Sequence, residues 1–116
     1  KDTIAIIGRD DRTNPNRKSV AQLLENAPFG AFSILLDHQP YHLEAAERQH
    51  VDFQFSGHTH NGQVWPINWI ESAIYEKAYG RLTKGETHYY VSSGIGIWGG
   101  KFRIGTQSEY VVLTLQ

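Results

Sequence analysis

Cysteine is absent from this 116-residue chain, so disulfides and thiolate metal sites are excluded and any metal must be held by nitrogen and oxygen. Methionine is absent too, even at position 1, and the chain opens on Lys1-Asp2-Thr3-Ile4, which runs directly into an apolar segment. That opening reads as an excised piece of a longer protein, so residues 1–116 are expected to form a single partial domain. An excess of charge of one sign is also lacking. The formal net charge is −1, so bulk electrostatics favour neither nucleic acid nor an anionic membrane, and no nucleic-acid partner is expected. No apolar run approaches the roughly 20 residues a membrane-spanning helix needs. What is present, 40% hydrophobic and 20% charged residues with Trp, Tyr and Phe all used, suits a folded chain with one core rather than a disordered tail.

Hydrophobic patterning divides the chain into two styles. Thr3-Ile4-Ala5-Ile6-Ile7-Gly8 is a β-branched run closed by glycine and reads as a buried strand. After a polar loop containing Asn14-Pro15-Asn16, Ser19 can cap a helix reaching Asn26, with Val20, Leu23, Leu24 and Ala27 at helical spacing. Ala31 to Leu36 reads as a second strand, Leu43 to Gln49 as a second helix, and Phe53 to Ser56 as a third strand. Strand, helix, strand, helix, strand with uniformly apolar strands predicts a parallel sheet with crossover helices. Beyond Gly62 the pattern becomes aromatic and glycine-punctuated. A helix is predicted near Trp69 to Tyr75, and strands at Gly80 to Thr83, His88 to Ser92 and Tyr110 to Leu115, in an antiparallel half.

The most telling stretch is Ser56-Gly57-His58-Thr59-His60-Asn61-Gly62-Gln63, which sets two imidazoles two residues apart directly after a strand. A glycine before the first histidine frees the backbone to turn at the strand end, and neutral imidazole is the commonest protein ligand for zinc, manganese and iron. Upstream, Ile34-Leu35-Leu36-Asp37-His38-Gln39-Pro40 repeats the layout: an apolar strand ends on a histidine and a proline stops regular structure. Two strands thus deliver three histidines toward one sheet edge.

These residues resemble the calcineurin-like metallophosphoesterases, whose last two motifs are a strand-end His before a Pro-containing turn and a Gly-His-x-His. His38 matches the first motif, and His58 with His60 the second, twenty residues later. Val91-Ser92-Ser93-Gly94-Ile95-Gly96 and the closing Phe102-Arg103-Ile104-Gly105 look like the bacterial membrane-associated branch. The resemblance implies the C-terminal half of an α-β-β-α sandwich, α/β with a mixed sheet and helices. It also implies a site for two divalent metals, manganese, iron or zinc, with His38 and His58 on one and His60 on the other. Such a pair neutralises a phosphate and activates a water for in-line attack on a phosphomonoester or phosphodiester. The branch implies a cytoplasmic or membrane-associated protein whose membrane contact lies outside this chain.

Three further motifs of that family, an Asp-x-His, a Gly-Asp and a Gly-Asn-His-Asp or Glu, do not occur in these residues. Asp10-Asp11 follow Arg9 in a polar loop and lie in the wrong order to replace them. The chain is therefore expected to hold at most one weakly bound metal, to contain no catalytic residue of its own and to be inactive alone. Half a sandwich would also expose the apolar face that meets the other half, so a homodimer or an element swap is expected.

Plainer readings stand beside each of these. His-x-His pairs also occur as hydrogen-bonded loop residues, and His38 could simply cap a strand. His42, His50 and His88 read as surface or partly buried side chains. Asp37 either orients an imidazole or sits in a turn. Asn61 and Gln63 either touch substrate or shape the turn, and Gly62 meets a positive φ. Arg103 is the best basic residue for phosphate, with a solvated strand residue as the alternative. Trp65, Trp69 and Trp98 read as core or covered surface, or else as a rim for a substrate's apolar part. The glycine-rich loop 93–100 lacks the following helix that a dinucleotide fingerprint requires and reads as a turn near the site. A non-catalytic metal- or ligand-binding module of the same fold and a purely structural domain remain the rival functions.

Overall fold

The structure, a computed structural model, describes residues 3–116. Its elements run β1 (Ile4–Arg9), α1 (Val20–Leu24), β2 (Phe32–Asp37), α2 (Glu44–Arg48), β3 (Phe53–Ser56), a 3-10 turn (His60–Gly62), α3 (Ile67–Ile74), β4 (Gly80–Lys84) and β5 (Thr87–Val91). The sheet has the order β1-β2-β3-β5-β4. Strands β1, β2, β3 and β5 are parallel, and β4 runs antiparallel to β5 through the tight turn at Gly85-Glu86. The chain is thus α/β with a mixed five-stranded sheet, as the alternation of apolar runs and helical spacings predicts.

The first helix begins where its sequence signal lies. Ser19 accepts from the Gln22 backbone while the Gln22 side chain accepts from the Ser19 backbone, a reciprocal capping box. It ends at Leu24 rather than Asn26, because Pro28 biases Ala27 away from helical backbone. Helices α1 and α2 cover one sheet face, closing a core of Ile7, Val20, Leu35, Leu43, Ala46, Val51 and Tyr89. The Tyr89 hydroxyl donates to the Leu43 carbonyl at 2.6 Å, so the one polar atom of that ring is satisfied inside the core.

The other face carries the alternate residues of the same strands: Ile4 and Ile6 on β1, Ile34 and Leu36 on β2, Phe53 and Phe55 on β3. Alternation along a strand sends them opposite to the core. Ile6 is 70% exposed and Leu36 42%. An apolar face left uncovered by helices is what the half-sandwich expectation requires.

Two expectations need correcting. The second half is not antiparallel throughout, since β5 joins β3 in parallel and only the β4–β5 hairpin reverses direction. Tyr110 to Leu115 forms no strand. Its β-branched composition satisfies propensity, but a strand needs a neighbour to pair with, and among the described residues it finds none. Val111 to Leu115 instead borders a groove with Phe32 and Phe53.

Candidate functional site

Because β1, β2 and β3 are parallel, their C-terminal ends and the loops that follow open on one edge of the sheet. The loops after Arg9, Asp37 and Ser56 therefore meet. Buried Asp37 stitches two of them, its carboxylate pairing with Arg9 at 3.0 Å and Arg17 at 3.6 Å, which makes it a strand-end clamp rather than a surface turn. Gly57 N–H donates to the His38 carbonyl at 3.0 Å and ties the third loop to the second.

That tie sets the imidazoles face to edge. His58 Nδ1 lies 3.3 Å from His38 Nε2, with ring centroids 5.1 Å apart and planes at 80°. Desolvation first, then the neighbouring His38, hold the His58 imidazole below its ordinary range, so it is neutral at pH 7, the form that ligates metal. The backbone is strained here: His58, His60, Asn61 and Gln63 all have φ between 50° and 69°. Left-handed non-glycine residues cost on the order of 1 kcal/mol or more each, and such clusters concentrate at functional sites.

The contact between His58 and His38 is within hydrogen-bond distance, and its length is also one that a metal shared by the pair would allow. Two nitrogens bound at about 2.05 Å in a tetrahedral arrangement are about 3.3 Å apart, the separation found between His58 and His38. His60 lines the same cleft, and its Nδ1 is buried without a hydrogen-bond partner, an orphan that a ligand would satisfy. Among the described residues, no three His, Asp or Glu side chains converge closely enough to hold a metal by themselves.

The remaining sequence-selected residues have other employment in this structure. The buried Gln63 side chain donates to the Trp98 carbonyl at 2.6 Å and to the Gly100 carbonyl at 3.2 Å, and it accepts from Trp98 N–H. Gln63 thereby pins the glycine-rich loop over the cleft. Arg103 Nη1 donates to His60 O at 3.0 Å, and Nη2 to Ser93 O at 2.7 Å and Gly96 O at 2.6 Å. Asn61 lines an adjacent hollow with Tyr79 and Glu109. Gly62 has φ 73°, and a Cβ there would overlap the Asn68 backbone, so the turn admits only glycine. His42, His50 and His88 are exposed and away from the cleft.

The cleft, about 720 Å³, also contains Asp11, which the sequence reading set aside, and Ile67 and Glu71, which it did not single out. Asp11 hydrogen-bonds the Thr13 backbone and side chain, which with the nearby His38 and His58 keeps its carboxyl below the usual range. Its position at the end of a parallel strand was the available signal. Trp65, Trp69 and Trp98 are exposed, which overturns their reading as core.

Comparison with known proteins finds relatives named for metallophosphoesterases. A Campylobacter jejuni protein named an uncharacterized metallophosphoesterase is 40% identical over 85 residues, covering 72% of this chain and 23% of that protein. Bacillus subtilis YkoQ, another uncharacterized metallophosphoesterase, is 30% identical over 115 residues, 91% of this chain and 41% of its own length. A Danio rerio transmembrane protein with metallophosphoesterase domain is 30% identical over 125 residues, covering all of this chain and 29% of that protein. No family model and no solved structure matches the chain. The chain thus spans a minor part of each of these relatives, and every one is named for a metallophosphoesterase or a metallophosphoesterase domain. With its strand-end histidines gathered at one sheet edge, the chain belongs to the calcineurin-like metallophosphoesterase superfamily.

Proposed function

We propose that this chain supplies the histidine side of a two-metal phosphoesterase centre that hydrolyses phosphomonoesters or phosphodiesters, and that it does not turn substrate over by itself. The observation that carries the reading is the 3.3 Å approach of His58 Nδ1 to His38 Nε2 across two parallel strand ends. His38 and His58 hold one metal and His60 the second, each imidazole ligating while neutral and so adding no charge against a phosphate. When bound, the metals neutralise phosphate charge and activate water. Arg103 holds the His60 carbonyl, and Gln63 holds the loop that closes one wall of the cleft; both act on the site by positioning. Asn61 faces the neighbouring hollow, where an elongated substrate could reach it.

The missing ligands would be supplied from outside these residues, because no three His, Asp or Glu side chains among the described residues converge to hold a metal. The uncovered sheet face supports the same view, since it is where the other layer of a sandwich, or a second copy of this chain, would pack. Membrane contact, if the parent makes it, lies outside the chain: no helix among the described residues is long and apolar enough to cross a bilayer.

Manganese titration by calorimetry tests the reading. Weak binding, at most one equivalent, that disappears in His58→Ala is expected, with no hydrolysis of p-nitrophenyl phosphate by the chain alone. Tight one-to-one binding with intact stability would favour a non-catalytic metal module instead, and binding unchanged in His58→Ala would refute the assignment.

A further inference from the structure

Large apolar side chains exposed beside the histidine cleft are not accounted for by the packing of these residues among themselves, because burial, not exposure, is what stabilises them. Trp98 is 77% exposed, yet its backbone is held on both sides by the buried Gln63 amide. A polar clamp therefore fixes a tryptophan whose ring contributes little to the core. On the facing side, α3 buries none of its residues. Ile67 lines the cleft, and Ile70 and Ile74, at +3 and +7, continue along the same helix face, both exposed. At 1.5 Å per residue this stripe runs about 10 Å away from the cleft.

We propose that the cleft takes an amphiphilic phosphoester: the phosphate lies at His38 and His58, and an extended apolar chain on its alcohol side runs between Trp98 and the Ile67-Ile70-Ile74 stripe. The proposal rests on the phosphoesterase reading above and names its substrate class. Two features select this occupant. The apolar stripe is continuous with the histidine cleft through Ile67 and Val64, so one ligand can fill both. The cleft's volume of about 720 Å³ is far more than inorganic phosphate needs and falls in the range of sites for extended small molecules. Val64, Ile67 and Trp98 are the large apolar side chains of a lining that otherwise carries Thr13, Gln39 and Glu71 beside the histidines, so the apolar part of a ligand is directed to them.

Calorimetric titration of the chain with inorganic phosphate, butyl phosphate and octyl phosphate, each in the presence of manganese and below micelle-forming concentration, tests this. Each methylene laid against the wall is expected to tighten binding about fourfold, so octyl phosphate should bind at least about tenfold tighter than butyl phosphate if half of the added methylenes are covered. Trp98→Ala should remove most of that chain-length dependence. Ile70→Gln, on an exposed helix position, provides an independent second variant, and circular dichroism confirms that both fold. Equal affinity for butyl and octyl phosphate overturns the proposal while leaving the phosphoesterase reading intact. Absence of binding by all three, inorganic phosphate included, overturns the underlying reading as well. Octyl phosphate binding that persists without manganese and in His58→Ala overturns it too, identifying the stripe as a general surface for amphiphiles or membranes.

Discussion

Replacing Arg103 by alanine isolates the largest positioning device near the site. Its guanidinium donates to the carbonyls of His60, Ser93, Gly94 and Gly96 and to the Thr106 hydroxyl, with the three shortest bonds between 2.6 and 3.0 Å. A hydrogen bond with one charged partner contributes about 1.5–3 kcal/mol net when buried. The carbonyls near Gly96 are exposed and water replaces the guanidinium there, so only the His60 and Ser93 bonds should count heavily. Both are only partly buried, so their sum is discounted for solvent and the expected loss is about 2–4 kcal/mol, a large share of the 5–15 kcal/mol typical of a domain. Urea denaturation followed by circular dichroism should show a lower midpoint with an unchanged slope. Amide exchange should accelerate across residues 93–100, which the clamp organises. Arg103→Lys should recover less than half of the loss, because one ammonium cannot span carbonyls that a planar fork reaches. A stability change below about 0.5 kcal/mol, the range of an ordinary surface substitution, together with a large loss of phosphate affinity, would refute the clamp and restore Arg103 to direct phosphate contact.

Two further outcomes follow from the surfaces and charges of the same chain. Ile6, 70% exposed on the edge strand β1 of the uncovered sheet face, should mediate self-association: light scattering of the wild-type chain should show mass rising with concentration, and Ile6→Lys should abolish the rise. A clean wild-type monomer at high concentration would remove the exposed face as an interface. Burial raises the Glu71 carboxyl above its unfolded value of 4.5, partly opposed by the Gly62 N–H that it accepts at 2.7 Å. The folded state then holds its proton longer than the unfolded state, so Glu71's contribution is fully present below about pH 4.5 and is lost as pH rises through the folded pKa. Glu71→Gln should lose less stability than wild type over that rise; parallel stability curves would show that burial of Glu71 carries no penalty.

The strands before Gly57 were legible because each is a continuous apolar run bounded by glycine, proline or polar residues, and the Ser19 box marked its helix start. Both correlate neighbours a few residues apart, which is the range over which sequence patterning speaks. Tyr110 to Leu115 was misread for the converse reason: its composition is that of a strand, but pairing is a property of what lies beside it. Asp11 was set aside because it follows a strand in the wrong order for the family's Gly-Asp motif, whereas parallel pairing of β1 with β2 carries that loop to the same edge as His38.

Residue chemistry alone determined that any metal here would meet nitrogen and oxygen rather than sulfur, and that three histidines stand at or just beyond strand ends. Only the tertiary structure decided which of them meet. Parallel pairing and the Gly57-to-His38 hydrogen bond bring His58 and His38 to 3.3 Å across twenty residues of sequence. It also turned Gln63 and Arg103 inward to hold backbone and left Trp98 outside, because a side chain's partners are fixed by where distant segments pack, which spacing along the chain does not encode.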